Sequence, residues 1–337
     1  MLKKMKVVLA AVVLLTGTTG SAWALPFSNL VVFGDSLADS GNNAVLADTF
    51  FGGARTAAPF SGPLVPTLPY AAGATPAKSD TYSNGPVWTQ YFASALGMNL
   101  TPSLLGGNNY AYGGARVGSD GQVPSLQTQM GQYLQANTVS ANTLYVIEGG
   151  GNDARDVVTL YASGKVQEAT DLVTAYVQGV ISMVAGLAGR GAEHFLLWNI
   201  TDLGLAPAIT AMGPAASAGA SAIVAGMNQA LSGALEANLP DSVLDDIVFF
   251  DAYTGLREIV ANPADFGLTN ASAACGASAD CVANNAGDYF FWDGIHPTTA
   301  GHAVMAQLAV AAVPEPASLA LFGLAFLGLI ASRRHSA

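Results

Sequence analysis

The chain has 337 residues, of which 51% are hydrophobic and 10% charged, with 12 Lys and Arg against 23 Asp and Glu for a formal net charge of −11. An acidic chain this poor in Lys and Arg is unsuited to binding nucleic acid or an anionic membrane surface. Setting aside the two ends described below leaves roughly 290 residues, enough for one large α/β domain with a well-buried core.

Residues 1–24 open with Lys3, Lys4 and Lys6, continue through an apolar run from Val7 to Leu15 and close on Ala22-Trp23-Ala24. That order predicts a secretory signal peptide cleaved after Ala24. The first strand expected in the mature chain is Leu30–Phe33, which runs into Gly34-Asp35-Ser36. Gly, Asp and Ser are ordinary turn residues, so the stretch alone says only that a strand ends there. The segment from Ala44 to Pro86 is rich in Gly, Pro, Ala, Ser and Thr, and is expected to be a long loop over the mouth of a site.

Four further strands are expected at Asn109–Tyr112, Thr143–Glu148, His194–Ile200 and Ile247–Asp251. Between them, residues 166–189 carry Val166, Ala169, Val173, Val177, Val180, Val184 and Leu187 at three- and four-residue steps, which predicts a helix. The Ala, Gly and Ser that dominate Thr210 to Gly226 predict a loop or a poorly packed helix. Strands alternating with helices imply a mainly parallel sheet covered on both faces, with the active site outside the carboxyl ends of the strands. Cys275 and Cys281 are the only cysteines. In an exported chain they are expected to form a local disulfide, since two Cys with no nearby His do not complete a zinc site.

Three strand exits carry suggestive chemistry. Gly34-Asp35-Ser36 offers a hydroxyl, Gly113 and Gly114 a glycine turn, and GGGND (149–153) the side-chain amide of Asn152. Acyl transfer needs such a set: a nucleophile, and donors aimed at the oxygen that becomes negative. A serine needs a base. His335 lies in the C-terminal tail, and His194 opens an expected buried strand. His302 falls inside an expected helix beginning at Pro297, where packing or hydrogen bonding is its expected role, which leaves His296 exposed at the helix entrance. Asp293 precedes His296 by three residues, so one tight turn brings its carboxylate to the imidazole. Taken alone, WDGIHP reads equally well as a turn and helix cap. Metal binding by Asp293, His296 and His302 ranks lower, because the two His lack the four-residue helical spacing.

GDSL (34–37), the glycine after the second strand, GGND (150–153) and DGIH (293–296), in that order across nearly the whole mature chain, resemble the four blocks of the SGNH, or GDSL, hydrolase family. The resemblance implies a flavodoxin-like three-layer α/β/α sandwich with a five-stranded mainly parallel sheet. It implies Ser36 as nucleophile, which also gives its backbone N–H to the oxyanion hole, Asn152 as side-chain donor, Asp293 as orienting acid and His296 as general base and acid, with no metal or cofactor. Asn109-Tyr110-Ala111-Tyr112-Gly113-Gly114 fits the family pattern N-x-A-x-x-G and selects Gly114 as the remaining donor, with Gly113 the alternative. FGDSLADSGN with SNGPVW (83–88) is similar to the branch holding bacterial lipolytic esterases, haemolysin-like phospholipases and plant GDSL lipases, and Gly85 is expected in a turn beside the site. Asp35 and Asp153 are expected to be structural.

Residues 313–337 set Pro-Glu-Pro before roughly fifteen apolar residues and then Arg333 and Arg334, a run short for a bilayer crossing. An ordinary membrane anchor is one reading. The whole pattern resembles the PEP-CTERM sorting tail of Gram-negative bacteria, which implies transient membrane association and removal by an exosortase-type protease. The chain thus divides into a signal peptide (1–24), a hydrolase domain (25–312) and a tail (313–337).

The leading expectation is a secreted or cell-surface serine esterase or lipase acting on carboxylic esters of lipids, small acyl esters or acetylated polysaccharide. The alternatives are an O-acetyl esterase of exopolysaccharide and a non-catalytic matrix or display protein. Tyr70, Tyr82, Trp88, Tyr110 and Tyr112 fit either a substrate pocket or ordinary packing.

Overall fold

The computed structural model describes residue 25, residues 27–51 and residues 80–313. The expected signal peptide, all of the expected tail after Val313, Tyr70 and His335 lie outside the described residues. The strands are β1 (Asn29–Gly34), β2 (Thr143–Glu148), β3 (His194–Trp198), β4 (Ile247–Phe250), β5 (Asn270–Ala274) and β6 (Tyr289–Phe291). The helices are α1 (Asn42–Phe51), α2 (Trp88–Ala95), α3 (Leu126–Ala136), α4 (Gly151–Ala162), α5 (Val166–Ala188), α6 (Pro207–Thr210), α7 (Pro214–Asn238), α8 (Asp241–Asp245), α9 (Ala252–Ala261) and α10 (Thr299–Ala312).

Strands β1 to β4 form one parallel sheet in the order β1-β2-β3-β4, with Val32 beside Val146 and Leu196 beside Val248. Residues 108–112 lie parallel along the free side of β1. There the Val32 N–H donates to the Asn108 carbonyl (3.0 Å), and the Tyr110 and Tyr112 N–H groups donate to Val32 (2.8 Å) and Gly34 (3.2 Å). The fifth expected strand is therefore present as a short irregular ribbon. Its ladder is interrupted at the Gly34 N–H, which donates to Gln129 Oε1 at 2.9 Å instead of to the ribbon, while the Gly34 carbonyl accepts from Gln129 Nε2 (2.9 Å) as well as from Tyr112.

Side chains alternate across the sheet, as strand geometry requires. Val31, Phe33, Tyr145 and Phe195 pack on one face under α3, α4, α5 and α7. Leu30, Val32, Val146 and Trp198 pack on the other under α2, α9 and α10. Two separate cores on the two faces make the three-layer α/β/α sandwich. A parallel sheet buried on both sides explains why these strands read as continuous apolar runs. The second core is aromatic at its centre, where Trp88 stacks on Trp198 at 4.0 Å between ring centroids.

One open expectation is settled and two are corrected. Of the loop and the poorly packed helix expected over Thr210 to Gly226, the structure has the helix: α7 begins at Pro214 after Gly213 and buries Ala220, Val224, Met227, Leu231 and Leu235 at three- and four-residue steps. Alanine supplies helix propensity there, and the apolar stripe lies mostly beyond Gly226. The start of the expected 44–86 loop is the helix α1, and residues 52–79 of it lie outside the described residues. Pro297 does not open the last helix. Thr298 caps α10 by accepting from the Gly301 N–H, while residues 291–297 fold back as a hairpin in which Trp292 N–H donates to the His296 carbonyl (2.8 Å).

Cys275 and Cys281 form a disulfide. It packs with Trp292 in a small separate cluster, beside the short parallel pair β5-β6.

Candidate active site

All the strands of the parallel sheet point the same way, so the turns after β1, the 108–112 ribbon and β2 emerge at one edge. The hairpin between β6 and α10 reaches that edge from the α10 side. Ser36 Oγ lies 2.9 Å from His296 Nε2, across 260 residues of chain. His296 Nδ1 lies 2.7 Å from Asp293 Oδ2. His296 is 1% exposed and so is buried, not exposed as expected, because the hairpin holds it beneath the surface.

Asp293 does two things at once. Its Oδ1 accepts the N–H groups of Ile295 (2.8 Å) and His296 (2.7 Å), building the turn, while Oδ2 faces the ring. Burial pushes this carboxyl upward, but the charge of His296, its ring and backbone hydrogen bonds and the Ile295 N–H outweigh that and hold it below the ordinary carboxylate range. The hairpin is stitched to the 83–86 loop, where the Ser83 hydroxyl donates to the Pro297 carbonyl (2.9 Å) and Asn84 Oδ1 accepts from the Thr299 N–H (2.7 Å). Gly85 lies in that loop, next to Thr299. The Tyr82 ring lies 5.4 Å from the His296 ring, whereas Trp88 and Tyr110 belong to the two cores.

Gly113 and Gly114 differ in what their N–H groups do. Gly113 donates to Asp39 Oδ2 at 3.0 Å. Among the described residues, the N–H groups of Gly114 and Ser36 have no acceptor. Gly114 has φ +88°, which only glycine adopts without strain, and at Gly113 any Cβ would enter the Tyr82 ring. Asp39 escaped notice in the sequence. It is fully buried and accepts from Gly41 (2.8 Å), Asn42 (2.7 Å) and Gly113, tying the nucleophile turn to the glycine turn. Its signal was the second carboxylate of GDSLADSGN.

Asn152 sits in the first turn of α4 and donates from Nδ2 to the Ala115 carbonyl at 2.9 Å. Its other approach, to Asp35 Oδ2, is 3.5 Å. The first two turns of α4 grip the glycine loop twice more: Asp153 accepts from the Val117 N–H (3.2 Å), and Asp156 pairs with Arg116. Asp35 accepts from the Leu37 N–H (3.0 Å), and burial pushes its carboxyl up to about 6. Glu148, at the end of β2, is pushed well above the usual range by burial and by Asp35 beside it. His302 is buried, neither ring nitrogen has a hydrogen-bond partner among the described residues, and burial pushes its pKa down to about 3. His194 lies against Phe27 at the far end of β3.

The structure therefore brings together Ser36, Gly114, Asn152, Asp293 and His296 at one sheet edge. A sequence model of the GDSL-like lipase/acylhydrolase family matches residues 30–309. The chain belongs to that family. The PEP-CTERM protein-sorting motif matches residues 312–334, which indicates export and sorting to the envelope of a Gram-negative cell. The chain is similar to the thermolabile hemolysin of Vibrio parahaemolyticus, at 27% identity over 67% of this chain and 54% of that one. It is also similar to the esterase EstA of Pseudomonas aeruginosa, at 28% identity over 90% and 49%. A GDSL esterase/lipase of Arabidopsis thaliana is 27% identical over 82% and 85%. The chain spans about half the length of the bacterial relatives it matches. Among solved structures, the acetylxylan esterase Axe2 of Geobacillus stearothermophilus aligns with TM-score 0.43 and 16% identity over 85% of this chain and 93% of that one.

Proposed function

We propose that this GDSL-family protein is an exported serine esterase that hydrolyses carboxylic esters through an acyl-serine intermediate. The observation that carries the reading is the hydrogen-bonded line Ser36 Oγ–His296 Nε2–His296 Nδ1–Asp293 Oδ2, at 2.9 and 2.7 Å. Neutral His296 accepts the Ser36 proton as Oγ attacks the ester carbonyl, and ionised Asp293 stabilises the imidazolium that results. The carbonyl oxygen becomes negative between the N–H groups of Ser36 and Gly114 and the amide of Asn152. His296 then returns the proton to the alkoxide leaving group, releasing the alcohol and leaving the acyl group on Ser36. Water, deprotonated by the same imidazole, frees the carboxylic acid and restores the serine. The chain's own residues supply nucleophile, base and oxyanion donors, so no metal is assigned a step.

The domain boundaries proposed are a signal peptide through Ala24, the hydrolase domain to Ala312 and the sorting tail beyond, with an exosortase-type protease as the processing partner. The test of the function is hydrolysis of nitrophenyl esters. S36A and H296A should each lose activity by several orders of magnitude while keeping the wild-type circular dichroism, and EDTA should leave the wild type active. Near-normal turnover in folded S36A would contradict the mechanism, and so would EDTA inactivation reversed by zinc.

A further inference from the structure

The strongest feature that the reaction above leaves unused is a buried positive charge behind the amide donor. Arg155 is 7% exposed and lies three residues after Asn152 on α4, on the same face of the helix. Its Nη1 donates to Asn152 Oδ1 at 3.2 Å. Burial holds its pKa below the ordinary arginine range, and the charges that act on it are those of Asp156 and Arg116 first and of Asp35 and Asp293 in the site after them.

An asparagine amide has two ends of similar shape and opposite chemistry, and what it does depends on which end faces the substrate. Here both ends are specified. The Ala115 carbonyl lies 2.9 Å from Nδ2 and Arg155 lies on the Oδ1 side. Turning the amide over would set oxygen against carbonyl and NH2 against guanidinium. One N–H of Nδ2 is used on Ala115, and the second has only the 3.5 Å approach to Asp35 Oδ2.

We propose that Arg155 is the positioning residue of the oxyanion hole: it locks the Asn152 amide with NH2 toward Ser36, and polarises that amide for the moment the carbonyl oxygen turns negative. A hydrogen bond from a charged donor to the amide oxygen draws density from the nitrogen and strengthens its N–H as a donor. A cation one amide group away from the developing charge also favours the transition state over the neutral ester. The inference rests on Asn152 being an oxyanion donor, as proposed above.

The experiment is a double-mutant cycle of N152A and R155M, with R155K as a partner-keeping variant, read by kcat, KM and the binding of a boronic acid that mimics the tetrahedral intermediate. R155M should lower kcat about tenfold to a hundredfold, less than the hundredfold or more expected on losing the donor itself. Its KM should change little, its affinity for the boronic acid should fall with kcat, and R155K should recover most of both. In the double variant, R155M should add little to the loss in N152A. Wild-type kcat in folded R155M would overturn the role of Arg155 alone, as would a full, independent loss on top of N152A. Wild-type kcat in N152A would overturn the oxyanion reading itself. If R155M does not fold, R155K decides: a loss of boronic acid affinity equal to that of N152A would show that mere charge and reach do not suffice, contradicting the proposal.

Discussion

Asp293 meets His296 twice, with Oδ2 at 2.7 Å from the ring nitrogen Nδ1 and Oδ1 at 2.7 Å from the backbone nitrogen of the same residue. The turn reading and the catalytic reading of WDGIHP are therefore not rivals. One carboxylate folds the turn and aims the ring that the turn carries.

That double use separates two substitutions. D293N keeps an oxygen for the turn but faces the ring with the wrong partner. It should fold with a near-wild-type Tm, and kcat should fall by roughly four orders of magnitude, less than in S36A. D293A removes the acceptor of two backbone N–H groups as well, and should lose about 2–3 kcal/mol of stability in addition. Denaturant melts and nitrophenyl ester kinetics on the two variants check both halves.

The disulfide should matter to the same turn. Cys275 and Cys281 pack against Trp292, the residue before Asp293, and the Gly276 N–H donates to the Trp292 carbonyl at 2.7 Å. Closing so short a loop is worth about 2 kcal/mol in the chain-entropy account. C275S/C281S should therefore melt at lower temperature and lose part of its kcat, and dithiothreitol should reproduce both effects in the wild type. Unchanged kcat in the double variant would uncouple the clip from the site.

A buried acid gives a pH test of opposite sign to the usual one. Burial pushes Asp153 up to about 7 from its ordinary 3.8. Between those values the folded protein holds a proton that the unfolded chain has released, so this carboxyl's contribution to stability declines as pH rises from about 4 to 7. D153N mimics the protonated acid and does not titrate. Its stability relative to wild type should improve steadily across that window and level off above it, as read from urea melts at pH 4.5, 6 and 8. A relative stability that does not change with pH would contradict the assignment.

The legible part of this fold lay in short range. Strands β1 and β2 are β-rich runs ending at Gly34 and Glu148 with suggestive chemistry directly after them, so Ser36, Asn152 and the Gly113-Gly114 pair stood out at strand exits, while the choice of Gly114 came from the family resemblance. The DGIH spacing carried Asp293 and His296. What stayed hidden depends on contacts far apart in sequence. Gln129 interrupts the sheet at Gly34 from 95 residues away, and no local pattern announces it. Asp39 reaches Gly113 across 74 residues. Helix α7 was obscured by its own composition, since Ala, Gly and Ser carry little apolar contrast until Val224, Met227 and Leu231. The β5 strand NASAA lacks branched and aromatic residues, and it is a strand only because β6 lies beside it. Arg155 belongs to no motif, and its place is visible only once α4 sets it beside Asn152.

The most direct test of the account is where an activity-based probe reacts. A fluorophosphonate should modify the folded wild-type protein once, and peptide mapping by mass spectrometry should place the adduct on Ser36, with none in S36A and little in H296A. Labelling of S36A at the wild-type rate, or no adduct on Ser36 in a preparation that hydrolyses esters, would contradict the claim that Ser36 is the nucleophile activated by His296.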